Sequence, residues 1–164
     1  MPKQAVASAS STKAVPCGTI VRAFDSNYGE GEFIYLPGSA SITGAGLMVE
    51  WTANASLPTT YATTLAQSIS AIGANSQVLA VSKVACVAGT YGWFQIAGLC
   101  SVYKVASIIS AARTALGLKT TVGRVGRGSA SGKQVLGMRH GGISTPAATS
   151  VIMVYIDRPH CGAL

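Results

Sequence analysis

Charge is scarce in this chain. Only 10% of its 164 residues are Asp, Glu, Lys or Arg and 7% are aromatic, where an average globular domain has roughly a quarter of its residues charged. Mean hydropathy is +0.42, so a lone monomer would have little to keep it in solution. That deficit suits a membrane protein, a fibrous chain, or a subunit that covers its surface with partners. Long apolar runs are missing as well. Gly, Ser, Thr, Lys or Arg interrupts every stretch before it nears 18 residues, which excludes a spanning helix, and "MPKQAVASASSTKAVPCG" holds no continuous apolar segment that would act as a secretory leader. Synthesis in a cytosol, with no membrane partner, is the expectation.

Close cysteine pairs are also lacking. Cys17, Cys86, Cys100 and Cys161 stand far apart with no C-x-x-C among them, so no metal site is expected and the thiols read as small apolar filler. In an oxidising setting, one or two disulfides among three connectivities stay open. Catalytic groups are few: His140 and His160, with Asp25, Glu30, Glu32, Glu50 and Asp157 as the acids. Nucleophilic catalysis needs a Ser or Cys, a positioned base and an orienting carboxylate, and only His160 and Cys161 adjoin, on opposite faces of a strand. "GRGSASGKQ" (126–134) departs from a phosphate-binding loop at two fixed points, Arg127 for the first glycine and Gln134 for the hydroxyl residue. No enzyme activity and no cofactor are expected.

The balance that remains is +7, spread as single residues from Lys3 to Arg158. Nucleic-acid binders more often cluster their cations and interleave aromatics, so no specific nucleic-acid partner is expected, and the spacing suits long-range attraction to an acidic surface.

Short β-prone runs recur about every ten residues. They are "GTIVRAFD" (18–25), "GEFIYLPG" (31–38), "LMVEWTA" (47–53), "QVLAVSKVACVAG" (77–89), "TYGWFQIAG" (90–98), "LCSVYKVAS" (99–107), "LKTTVGRVG" (118–126), "QVLGMRH" (134–140) and "TSVIMVYIDRP" (149–159). Pro159 should end the last strand, because it has no amide hydrogen for a ladder. Leu65, Ile69 and Ile72 give 63–75 a helical spacing. The expected architecture is all-β: a small barrel or sandwich of about eight short antiparallel strands, with at most one short helix. Residues 1–16 read as an extended arm that reaches a neighbour, leaving 17–164 as a single β domain.

Within "TYGWFQIAG", Tyr91, Trp93 and Gln95 share one strand face and Gly92, Phe94 and Ile96 the other. Apolar groups on both faces mark a strand covered on both sides, where Trp93 and Phe94 would each contribute about 2 to 3 kcal/mol by burial. Glu30 and Glu32 have the i, i+2 spacing that puts both on one face of a strand, the arrangement a metal or glycosidase pair uses, though such acids more often tip a solvated turn or pair with Arg22.

"RAFDSNYGEGEFIYLPG" (22–38), "VAGTYGWFQIAG" (87–98) and the closing "VYIDRP" (154–159) together resemble the decoration, or cement, proteins of tailed-bacteriophage heads. The resemblance implies a non-enzymatic virion protein on the capsid exterior, made in the host cytoplasm, a homotrimer clamping the major capsid protein. Lys3, Lys13, Arg22, Arg124, Arg127 and Arg139 are the candidate capsid contacts. Phe33, Tyr35, Trp93, Phe94, Ile96, Ile152 and Val154 are the candidate core or trimer packing residues. The alternative is a virion-displayed adhesion module binding a host-surface glycan or protein, which exposed aromatics in its loops would favour, whereas the loops here are mostly Gly, Ser and Thr.

Overall fold

The computed structural model describes residues 5–54, 57–66, 78–106, 115–127, 134–141 and 150–161. These form eleven strands: β1 Ala9–Ser10, β2 Ile20–Asp25, β3 Gly29–Pro37, β4 Met48–Asn54, β5 Leu57–Leu65, β6 Val78–Ser82, β7 Tyr91–Tyr103, β8 Leu116–Leu118, β9 Val125–Arg127, β10 Val135–His140 and β11 Val151–Cys161. The fold is all-β, with no helix among the described residues. Nine strands make one curled antiparallel half-barrel in the order β2-β3-β7-β11-β6-β4-β5, with β1 against β7 and β10 against β11, while β8 and β9 form a small second sheet.

Three apolar clusters hold it together. The largest lies between the curled sheet and β8–β9, where Leu116, Leu118 and Val125 meet Met48, Leu79, Val81, Val102, Ile152, Val154 and Ile156. The second joins Ile34, Leu36, Ile42, Val49, Ala80, Cys86, Phe94 and Ile96. The third is aromatic: Phe33, Tyr35 and Trp93, with ring centroids of Tyr35 and Trp93 4.9 Å apart. Alternation along β3 and β7 places the second and third clusters on opposite faces of the same two strands. Ile34 pairs with Phe94 and Tyr35 with Trp93.

Residues 5–16 turn at Val6–Ala7, run as a short strand at Ala9–Ser10 and bend at Ser11–Thr12, and they lie along this chain's own sheet. Ala9 pairs with Gly92, the Ala14 amide donates to the Tyr35 hydroxyl at 3.1 Å, and Val6, Ala14 and Val15 pack on the aromatic cluster. The segment roofs Trp93, so the packing it supplies goes first to its own domain.

Two local expectations are corrected. Thr63–Leu65, expected to open a helix, close β5 instead, opposite Trp51, Glu50 and Val49 of β4; residues 67–75 of that segment lie outside the described residues. Cross-strand pairing overrides the weak periodicity of three apolar residues. β11 also runs through Pro159 to Cys161. Its pairing with β10 is irregular between Leu136 and Met138, opposite the stretch from Ile156 to His160. Proline is tolerated at such a bulge because no ladder amide is required there. Gly137, at φ +70°, completes the bulge, and a Cβ on it would collide with the Asp157 carbonyl.

Candidate functional site, an open sheet face and its groove

β7 changes character at Ile96. Gln95 pairs with Phe33 and Ala97 with Glu32, which leaves Ile96 as an extra residue on β7. Gln95, buried at the bend, donates from Nε2 to the Ala97 carbonyl at 3.1 Å and the Leu99 carbonyl at 2.9 Å, satisfying acceptors that the bulge frees. Beyond it, Cys100 and Val102 point into the largest cluster, while Ala97, Leu99, Ser101 and Tyr103 stay half-exposed.

Register extends that open face across neighbouring strands. Val151 pairs with Tyr103, Met153 with Ser101, Tyr155 with Leu99 and Asp157 with Ala97, so β11 contributes the exposed stripe Val151, Met153 and Tyr155, the last 57% exposed. Arg139 on β10 stands opposite Tyr155. Arg124 lies over the ring of Tyr103, 5.4 Å from its centroid, in cation–π range.

At the other end the row Asp157, Ala97, Glu32 and Arg22 crosses four strands. Here a groove of about 580 Å³ is lined by Arg22, Phe24, Glu30, Glu32, Asp157 and Arg158 over Gly31 and Gly98. Glu32 accepts from Arg22 Nε at 3.0 Å and from an Arg158 guanidinium nitrogen at 2.9 Å. Arg158 holds φ +46°, a left-handed conformation that costs a non-glycine residue about 1 kcal/mol or more. Gly98 is required at φ +104°, since a Cβ there would come 2.7 Å from the Glu30 carbonyl oxygen. Three of the chain's five acids line this groove, so the acidic groups of a cationic chain are concentrated where Phe24 is most exposed.

The hairpin that carries Phe24 is pinned from behind. Asp25 Oδ2 and Lys83 Nζ lie 2.8 Å apart, both side chains buried, and the ammonium sits 4.6 Å from the Tyr28 ring centroid. Burial works against the Asp25 charge, but Lys83 and the Asn27 and Tyr28 amides outweigh it and hold the carboxyl below its ordinary value. The Tyr28 hydroxyl donates to Ser101 at 2.9 Å, tying the turn to β7.

The cationic candidates do not converge on one patch. Arg22 belongs to the groove, Arg124 and Arg139 border the open face, Lys13 is exposed on the covering segment, and exposed Arg127 ends β9, its carbonyl accepting from Lys119 Nζ at 2.7 Å. Lys3 lies outside the described residues. All seven packing candidates, Phe33, Tyr35, Trp93, Phe94, Ile96, Ile152 and Val154, are buried within the chain. Phe24 and Arg158 were not singled out by sequence reasoning. The alternation of "IVRAF" carries the signal for Phe24, which shares a strand face with Arg22.

The thiols offer little reactivity. All four are free, and burial pushes Cys100 up to about 12 and Cys161 up to about 11, so both stay protonated at neutral pH. Burial also raises Cys17 and Cys86. Among the described residues no group of three His, Cys, Asp or Glu is placed to hold a metal, and no helix is long and apolar enough to cross a membrane. No protein-family model, characterised protein or solved structure matches the chain.

Proposed function

We propose that this chain is a structural virion protein that binds the exterior of an assembled phage head as a homotrimer and clamps neighbouring capsid subunits. The observation that carries the reading is the open face of β7 and β11. Val151, Met153 and Tyr155 form an apolar stripe on a chain with few charges to guard it, the kind of surface that a subunit buries against partners. Arg124 and Arg139 beside the stripe suit an acidic protein lattice. The three blocks that resemble head decoration proteins include β3, most of β2, the covered half of β7 and residues 154–159 of β11, so the resemblance runs through the strands that support this face and takes in Tyr155 of the stripe itself. Three copies joined in one trimer make each further docking event intramolecular, and modest single contacts then sum to a durable clamp.

The open face, rather than the N-terminal segment, is the part to test, because removing residues 1–16 would uncover Trp93 and unsettle the fold. Met153→Lys and Tyr155→Lys place a charge on the stripe with no change in the core. Light-scattering mass of the free protein and co-sedimentation with undecorated phage heads should show a trimer that coats shells, and a loss of both in the variants. A monomeric wild type that ignores shells would end this reading.

A further inference from the structure

The geometry points to the groove between β2, β3 and β11 as a binding site for a neutral, polyhydroxylated ring, a saccharide unit, laid against Phe24. The docking stripe of Val151, Met153 and Tyr155, with Arg124 and Arg139 beside it, contributes no residue to this groove.

Four features select that chemistry. The first is charge. Arg22 and Arg158 oppose Glu30, Glu32 and Asp157, a balance of one negative charge that favours neither a phosphate nor a strongly cationic ligand. The second is the supply of hydrogen-bonding groups. Glu32 is engaged by both guanidiniums, while Glu30 and Asp157 have no ion-pair partner among the described residues. Free carboxylate acceptors therefore stand beside guanidiniums that keep N–H donors to spare after engaging Glu32. A hydroxyl both donates and accepts, so neighbouring hydroxyls on a ring match this mixed set better than a group that only donates or only accepts.

The third feature is shape. Gly31 and Gly98 belong to the floor, and a Cβ on either would press on the Gln95 amide packed beneath, so glycine keeps the floor flat over Gln95 and a flat ring can approach it from the groove side. Phe24 stands at the rim, 72% exposed, an apolar ring face of the kind that sugar C–H groups cover. A volume of about 580 Å³ lies within the range of small-molecule sites. The fourth is strain. Arg158 is the only non-glycine residue with positive φ among those described, and that conformation sets its guanidinium on Glu32 at the groove wall. Backbone strain tends to persist where surroundings hold a residue in place for a task.

Purified wild-type protein should be titrated, by protein-observed NMR, with maltose, lactose, mannobiose and chitobiose, and with a heparin disaccharide as the anionic control. Saturable binding of at least one neutral sugar is expected, with shifts centred on Phe24, Gly31 and Gly98. Phe24→Ala should weaken it about tenfold, while Phe24→Tyr retains it; the exposed position leaves the fold intact, which the unfolding temperature of each variant checks. Absence of saturation by all four neutral sugars, equal binding by Phe24→Ala, or binding of the heparin fragment alone would each overturn the assignment. The assay uses no capsid, so its failure leaves the decoration role standing, and a failure of shell binding leaves the groove standing.

Discussion

The two halves of β7 make an instructive pair. From Tyr91 to Ile96 the strand is covered on both sides, by the aromatic cluster under the N-terminal segment and by the cluster around Phe94. From Ala97 to Tyr103 only one side is covered, and the other forms the open face. Composition tracks the change: "YGWFQI" is apolar on both faces, whereas "AGLCSVY" sends Cys100 and Val102 inward and leaves small or amphipathic groups outside. A single strand thus serves as core and as surface. A core defect should appear in folding, and a face defect in association.

The largest effect should come from the covered half. Trp93→Ala removes the centre of the aromatic cluster and should cost about 3 to 5 kcal/mol, read as a lower midpoint in urea unfolding; a shift below 1 kcal/mol would show that the N-terminal segment collapses onto the void. Next is the lock behind the hairpin. Asp25→Asn leaves the Lys83 ammonium buried without its partner and should cost about 3 kcal/mol at neutral pH. The sign follows from the depressed carboxyl: its contribution is full above the unfolded value near pH 4 and is lost as the pH falls through the lower folded value. Urea midpoints of wild type and variant should therefore converge below about pH 4, and a constant gap down to acid pH would remove the ion pair as its cause. The smallest effect belongs to the open half, where Tyr155→Ser should move stability by less than about 0.5 kcal/mol, a value that calorimetry on dilute protein can bound.

Much of this molecule can be read from its letters. Alternation and glycine-marked turns outline β2, β3, β4, β10 and β11, and the doubly apolar "YGWFQI" correctly marks a strand buried on both faces. The runs 90–98 and 99–107 do not announce that they form one strand, because Gly98 looks like a turn when it is instead the relief point of a bulge. Thr63–Leu65 carries too little periodicity to outweigh its pairing with β4. The groove is hidden for a different reason. Its members come from residues 22–32, 97–98 and 157–158, brought together by register, and the left-handed backbone at Arg158 precedes a proline that by itself suggests only an ending. Arg22 with Glu32 was legible from the hairpin; the second guanidinium required the fold.

Ile96 has a wider consequence for how this sequence can vary. Strand side chains alternate with a strict period of two, so the surplus residue acts as a parity counter for everything downstream. Deleting one residue there would exchange the destinations of Leu99, Cys100, Ser101 and Val102, pushing a serine toward the interior and two apolar groups toward water. Descendants of this gene should tolerate many exchanges of residue type along 97–103 but hardly any change in length.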